Sequence, residues 1–335
     1  MNRVRWGLLS TARINRRLIP AIRASERGEL VAVASRTQAA ADAYAAEWGI
    51  PRAFGRYEDL LASDEVDVVY IGLPNHLHAR WTVRALELGL HVLCEKPFAL
   101  TLAEVDGMID AARDNGRVLA EAFMYLHHPQ TQIAGQLVRD GRLGDVAVMS
   151  GVFTYSMGGR DNIRLVPEWG GGSLWDVGVY PVSFAQFLMG GPPVWVFGDQ
   201  WLGPEGVDES FTGALHYDNG AMAQISSGFR MPFHTHFEVM GTTGRLEVTR
   251  PFNGMEGPDA RVTFFDEEGE PQVMPVPDED LYAGEVRDIH DAILSGRPPA
   301  IGLNATRDHV RTVLALYESA RRGERVFLEE IGSRR

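Results

Sequence analysis

Lysine is almost absent from this 335-residue chain: of 32 basic side chains, 31 are arginine and one, Lys96, is lysine. Arginine serves for surface charge and for pairing with carboxylate or phosphate, but it stays protonated in proteins. Lysine can lose its proton when burial or a neighbouring cation lowers its pKa. A single retained lysine is either a chance survivor of a compositional drift or a position that needs acid–base chemistry, and its place at a strand end favours the second. Cysteine is as scarce. Cys94 is the one residue of its kind, which excludes an internal disulfide framework, and its apolar strand pattern makes it a core side chain. No apolar run approaches the roughly 20 residues of a membrane span. The start, Met1-Asn-Arg-Val-Arg-Trp6, runs into a strand pattern without the apolar stretch of a signal peptide. A cytoplasmic protein is expected.

Hydrophobic residues make up 45% of the chain and charged ones 23%, the balance of a globular protein. The net charge of −13 argues against nucleic acid and anionic membrane as partners. That charge is uneven. Residues 1–125 carry 15 basic and 16 acidic side chains, and residues 126–335 carry 17 and 29. An anionic cofactor is held more easily by the near-neutral first part. The length exceeds one ordinary core, so two domains are expected, 1–125 and 126–335.

The first part alternates strands and helices. Apolar runs at Val4–Leu9, Leu30–Ala34, Val66–Ile71, His91–Cys94 and Val118–Glu121 read as strands. Between them lie helix patterns: Ile14, Leu18 and Ile22 on one face, Ala39–Trp48 before Gly49, and His78–Leu88 before Gly89. Thr101-Leu-Ala-Glu104 is a capping-box pattern that starts a further helix. Continuously apolar strands between amphipathic helices predict a parallel sheet covered on both faces, a doubly wound nucleotide-binding domain. Beyond a helix pattern at 129–140, strand patterns recur at 146–155, 194–202, 209–217, 220–228, 234–241, 244–249 and 261–265. Asp218-Asn-Gly220 and Gly241-Thr-Thr-Gly244 supply turns. Helix patterns at 281–295 and 304–322 close the chain. A second α/β domain with a large, open, mostly antiparallel sheet is expected.

The first strand–helix turn is Gly7-Leu-Leu-Ser10-Thr11-Ala12-Arg13-Ile14-Asn15. The glycines of a dinucleotide fingerprint align with Ser10, Ala12 and Asn15. Small side chains still admit a pyrophosphate to the helix amides, although such a turn is equally a ligand-free connection. At the end of the second strand an NAD-specific site places a carboxylate. This chain has Ser35-Arg36-Thr37 and no carboxylate until Asp42. Arg36 is either a solvated arginine or the partner of a 2′-phosphate, and with the turn it favours NADP(H).

Further along come Gly72-Leu73-Pro74-Asn75-His-Leu-His78, Glu95-Lys96-Pro97 and Glu121-Ala-Phe123-Met-Tyr125. Pro167-Glu-Trp169-Gly-Gly-Gly172-Ser-Leu-Trp-Asp176-Val-Gly-Val-Tyr180 follows. In this combination the chain resembles the Gfo/Idh/MocA oxidoreductases over nearly its whole length. The resemblance implies an N-terminal Rossmann domain, a C-terminal α/β domain for substrate and self-association, and a nicotinamide in the cleft between them. It implies Lys96 as the catalytic lysine. It also implies Leu73, Pro74, Asn75, His78, Glu95, Arg164 and Trp169 on the cofactor, and Phe123, Tyr125, Tyr180 and Tyr282 at the substrate.

Many members carry Asp-x-x-x-His where this chain has Asp176-x-x-x-Tyr180. The tyrosine resembles the branch of dimeric dihydrodiol dehydrogenase and NADP-dependent xylose dehydrogenase. Residues four apart share a helix face, and a nearby ammonium lowers a phenol's pKa. Tyr180 alone reads equally as a helix aromatic in a core, Arg164 as a loop arginine, and Tyr282 as a staple at a helix start. Leu126 departs from the arginine that relatives often carry there. The histidine pairs 76/78, 127/128 and 234/236 lack acidic or cysteine partners at a metal spacing, so no metal is expected.

The expected activity is NADP(H)-dependent hydride transfer at a sugar, polyol or diol carbon, most directly an aldose 1-dehydrogenase. Keto-sugar or nucleotide-sugar reduction is the near alternative. An NAD-dependent glycoside hydrolase and a non-catalytic NADP-binding sensor are alternatives of other classes. Trp195, Phe197 and Trp201 alternate along one strand, and a sheet face left open predicts a homodimer or homotetramer.

Overall fold

The computed structural model describes residues 3–253 and 260–332. They form two compact units. One holds the chain up to Met124 together with Tyr282–Thr306; the other holds Tyr125–Leu281 and the chain from Arg307 onward. A single boundary at 125/126 was expected. The difference is the return of Tyr282–Thr306 to the first unit, which burial explains. His290 is buried there, accepting the Trp6 indole N–H at 2.9 Å, with Ser25 Oγ at 3.1 Å from its other ring nitrogen.

The first unit runs β1 (Val4–Leu9), α1 (Asn15–Ala24), β2 (Gly28–Ala34), α2 (Gln38–Trp48), β3 (Arg52–Phe54), α3 (Tyr57–Leu61), β4 (Val68–Ile71), α4 (His78–Glu87), β5 (His91–Glu95), α5 (Leu102–Asp114) and β6 (Leu119–Ala122). Its sheet has the order β3-β2-β1-β4-β5-β6 and every pairing is parallel. That is the doubly wound order, reversing beside β1, so the carboxyl ends of β1 and β4 flank the switch point where such sheets hold ligands. The capping box expected at α5 forms in part: Thr101 Oγ1 accepts the Glu104 amide at 3.2 Å, while the Glu104 carboxylate accepts the amide of Leu100, one residue before the cap, at 3.1 Å.

The second unit begins with a helical turn, α6 (Met124–His127), then α7 (Pro129–Arg139), β7 (Val146–Ser156) and α8 (Val179–Met189). Next come β8 (Trp195–Leu202), β9 (Asp208–His216), β10 (Met222–Gly228), β11 (Arg230–Gly241), β12 (Arg245–Thr249), β13 (Val262–Phe265) and β14 (Pro271–Met274). After α9 (Ala283–Ser295) in the first unit, α10 (Leu303–Arg322), which passes from the first unit into the second after Thr306, and β15 (Val326–Phe327) complete it. The sheet order is β14-β13-β12-β11-β7-β10-β9-β8-β15. Successive hairpins do not account for all of it. β7 inserts between β10 and β11 and pairs in parallel with β10, so the sheet is mixed although mostly antiparallel.

α8 is buried almost throughout and lies on β7. Gly151 permits this, because a Cβ there would stand 2.7 Å from both Phe237 and Pro181. Around it Tyr125, Phe153, Tyr180, Phe184 and Phe252 form an aromatic core with ring centroids 5.3–6.1 Å apart. No helix among the described residues is long and apolar enough to cross a membrane.

Candidate active site

In the first unit, Ser10–Ile14 link β1 to α1. Ser10 has φ +156°, at the margin of a region that glycine occupies more easily. Its hydroxyl donates to the Gly72 carbonyl at 2.8 Å and accepts the Ala12 amide at 3.2 Å, and the Asn15 side-chain amide donates to the Ser10 carbonyl at 2.7 Å. Side-chain hydrogen bonds thus hold a turn that a glycine fingerprint would leave to bare backbone. Thr11, Ala12 and Ile14 stay half-buried and Arg13 exposed, and the first amides of α1, those of Asn15, Arg16 and Arg17, donate to the carbonyls of Ala12, Arg13 and Ile14 at 3.1, 3.2 and 2.9 Å.

At the end of β2, Ser35 is buried, its amide donating to the Phe54 carbonyl at 2.9 Å. Thr37 Oγ1 accepts the Ala40 amide at 3.3 Å and caps α2. Arg36 is exposed and, among the described residues, pairs with no carboxylate. Burial raises the pKa of the neighbouring Tyr57 phenol, and the Arg36 charge works against that rise.

Lys96 follows β5. Its amide donates to Glu95 Oε2 at 3.2 Å, the Phe98 amide donates to Glu121 Oε1 at 3.1 Å, and the Cys94 thiol points at the Phe98 carbonyl at 4.0 Å. His78, fully buried at the start of α4, lies between two strand ends: Nδ1 is 2.8 Å from the Pro97 carbonyl and Nε2 2.8 Å from the Leu73 carbonyl. Burial lowers its pKa below the usual histidine range, and a neutral ring donates to one of these carbonyls. Leu73-Pro74 and the helical turn Asn75–Leu77 connect β4 to this histidine. The Tyr70 hydroxyl donates to Glu95. Tyr282, at the N-terminus of α9, is buried and contributes to the field on Tyr70.

In the second unit, Asp176 lies in a π-helical turn, Leu174–Gly178, that runs directly into α8 and Tyr180. Such turns recur at functional sites. Asp176 Oδ2 accepts the Tyr155 hydroxyl at 2.8 Å and the Arg164 Nε–H at 2.8 Å. The Asp176 carboxylate raises Arg164 further, and burial followed by the same charge raises the Tyr155 phenol. Tyr180 adds to the field on Arg164. Trp169 is 39% exposed in the preceding loop. Tyr125 is fully buried, with its hydroxyl 2.7 Å from Ser183 Oγ and donating to the Tyr180 carbonyl at 3.2 Å, so it supports α8. Phe123, in the first unit, is also buried. His234 and His236 stack 6.3 Å apart on β11.

Residues 4–123 match the oxidoreductase family with the NAD-binding Rossmann fold, and residues 131–247 match the Gfo/Idh/MocA C-terminal domain. The chain belongs to the Gfo/Idh/MocA family. It is 40% identical over 326 residues to D-xylose 1-dehydrogenase (NADP(+)) 2 of Haloferax volcanii, covering 97% of this chain and 99% of that one. Among solved structures it is similar to aldose-aldose oxidoreductase from Caulobacter crescentus in complex with glycerol, with 28% identity, TM-score 0.90, and coverage of 97% and 100%. It is also similar to a 3-ketoreductase from Actinomadura kijaniata in complex with NADP and TDP-benzene, with 31% identity, TM-score 0.88, and coverage of 95% and 98%.

Three residues beside these candidate positions, one in the first unit and two in the second, escaped the sequence reading. Tyr155 shares the core-facing parity of Met149, Gly151 and Phe153, and a hydroxyl at the end of such a row was the available signal. Glu121 is an acid in an otherwise apolar strand. Asp208 opens a strand but is 2% exposed, accepting the Ser173 hydroxyl, the Leu174 amide and the Tyr317 hydroxyl, each at 2.8 Å.

Proposed function

We propose that this NADP(H)-dependent oxidoreductase is a cytoplasmic dehydrogenase of a neutral aldose, oxidising C1 of a sugar such as xylose or glucose. Lys96 and Tyr180 handle the hydroxyl proton. The observation that carries the substrate reading is the pairing of the two arginines at 160 and 164, in the segment that precedes Asp176. Arg164 is engaged by Asp176, and Arg160 by Glu205 and Glu209, the latter at 2.7 Å. Both cations of this segment are neutralised by carboxylates, so a phosphorylated or carboxylated substrate would have to displace an existing ion pair. A neutral polyhydroxylated compound needs only hydrogen bonds.

The residues fit NADP(H). Ser10–Ile14 leave a small-residue approach to the backbone of the β1–α1 turn, and Arg36 offers a guanidinium to the 2′-phosphate where an NAD site would repel it. The nicotinamide, when bound, exchanges the hydride. The chain's own part is acid–base and positional. Lys96 Nζ and Tyr180 Oη take the proton that leaves the oxidised hydroxyl, Asp176 orients its segment through Tyr155 and Arg164, and His78 and Glu95 hold the lysine turn. Phe123, Tyr125 and Tyr282 support these positions, and Trp169 lines the approach. Phe197 and Trp201, 41% and 45% exposed on β8, support self-association through the second sheet as a homodimer or homotetramer.

The test is net cofactor turnover, read by NADPH absorbance, on aldoses, polyols, diols, keto-sugars and nucleotide-linked keto-sugars. Stoichiometric NADP reduction on an aldose is expected. Preference for nucleotide-linked keto-sugars would move the reading to a ketoreductase. Glycoside cleavage without net reduction would make it a hydrolase, and bound NADPH without turnover a sensor.

A further inference from the structure

The carboxyl ends of β1 and β4 flank the switch point, but the amino end of the same parallel sheet also holds a concave surface. An open cavity of about 800 Å³ lies there, within the range of small-molecule sites. Arg3 and Arg5 reach it from β1, His91 from the start of β5, and Arg117 from the residues just before β6. The six residues of β1, rising about 3.3 Å each, put it roughly 20 Å from the β1–α1 turn. It shares no residue with the positions assigned to cofactor or substrate.

The charges around it are not all neutralised. Asp67, just before β4, is held by Arg5: it accepts the Arg5 amide at 2.9 Å, Nε–H at 3.0 Å and an Nη2–H at 2.7 Å. Arg3 and Arg117 are exposed and, among the described residues, pair with no carboxylate. Arg117 lies over Gly89, where a Cβ would stand 3.5 Å from its Nη2 and where φ is +83°. Glu29, exposed on β2, is the one opposing charge that Arg5 does not hold. Three guanidiniums thus meet two carboxylates in a chain whose net charge is −13.

His91 adds a directed donor. Its Nδ1 accepts the Val118 amide at 2.8 Å. Burial, and then the Arg117 charge, lower its pKa to about 4, so near neutral pH the ring is uncharged and its one proton sits on Nε2. Among the described residues no protein group accepts that N–H. Ile293 and Leu294 of α9 give the cavity an apolar wall, with Leu294 43% exposed.

We propose that this cavity is a second ligand site, for a small metabolite that carries an oxyanion, carboxylate or phosphate, on an apolar remainder. Arg117 and Arg3 pair with the oxyanion, whose geometry suits guanidinium forks. The His91 Nε2–H donates to it, and Ile293 and Leu294 cover the remainder.

The test uses the full chain saturated with NADPH, so that the phosphate contacts of the cofactor are occupied. Citrate and inorganic phosphate are titrated separately at constant ionic strength set with chloride. Binding is followed by calorimetry and by the ring resonances of histidine labelled with nitrogen-15, His91→Asn assigning the relevant pair by its loss. We expect saturable binding of at least one probe, a displaced His91 Nε2 resonance, and binding weakened about tenfold or more in Arg117→Gln. Citrate alone would mark a carboxylate site and phosphate alone a phosphate site; either supports the proposal. No saturable binding of either probe overturns it. So does binding that leaves the His91 resonance unmoved, or that is equally tight in Arg117→Gln, because the anion then sits elsewhere. Should that variant not fold, the His91 resonance of the wild type decides.

Discussion

Arg36 is the residue whose test is cleanest, because its environment was legible before its position was known. The missing carboxylate after β2 left an arginine, and the structure leaves that arginine exposed and without a carboxylate partner among the described residues. If Arg36 holds the 2′-phosphate, Arg36→Ala removes that charge-assisted contact and nothing in the interior. NADPH binding should weaken by about 1.5–3 kcal/mol, roughly 10- to 150-fold, while NADH binding changes little. Equal losses for both cofactors, by fluorescence titration, would place the 2′-phosphate elsewhere. Lys96→Arg keeps the charge and removes the titratable amine, so turnover should nearly vanish with NADPH affinity intact. Tyr180→Phe should lower turnover by roughly 10²–10⁴. Lys96 was legible because scarcity singled it out. Tyr155 and Glu121 were not, since their significance comes from neighbours on other strands: β7 brings Tyr155 to Asp176, and β6 brings Glu121 under the turn after β5.

At the scale of elements, hydrophobic period and turn chemistry made most strands and helices readable, including the Thr101 cap of α5 and the hairpin at Asp218-Asn-Gly220, but not the short β3, α3, β14 and β15 or the helix α8. The placing of β7 between β10 and β11 was not, because nothing local in a strand names its neighbour. Nor was the π-helical turn at 174–178, which depends on a distant carboxylate. Asp208 accepts the Leu174 amide and the Ser173 hydroxyl where the turn begins, and Tyr317 of α10 closes the set. The last glycine of the Gly170–Gly172 run is what lets it in. Gly172 has φ +121°, and a Cβ there would stand 2.0 Å from Asp208 Oδ1. Gly172→Ala should therefore cost about 1–3 kcal/mol for the backbone alone, with more for the displaced carboxylate. Asp208→Asn keeps the shape but turns an NH₂ toward a donor, a loss of about 1–3 kcal/mol. If Asp208 holds the segment of Asp176 and Tyr180, Asp208→Asn should depress kcat far more than it weakens NADPH binding, since the Rossmann fold spans residues 4–123. Unchanged kcat in a folded variant would reduce Asp208 to a structural cap.

Over the whole molecule, buried titratable groups shape the response to pH in two opposing ways. His91, His290 and His309 fall from 6.5 to about 4 through burial. The unfolded chain then binds more protons than the native one, so their contribution is present above 6.5 and is lost as pH falls toward 4. Glu121 rises from 4.5 to about 8 and Asp208 from 3.8 to about 6, both chiefly through burial. These protons belong to the native state, so that stability is present at low pH and is lost as pH rises through 6 and then 8. Between about 4.5 and 6.5 these histidines, together with His78 and His128, which burial also lowers, outweigh the two carboxyls, and stability should climb with pH. Near neutrality the histidine contribution is complete while Glu121 still releases its proton, so the curve should turn over at about pH 7 and decline gently toward 8. Urea midpoints measured across this range test the shape. Glu121→Gln separates its parts: the decline above pH 7 should disappear and the acid limb should steepen. If the decline persists in that variant, the alkaline loss comes from another group and Glu121 is ionised in the native protein at neutral pH.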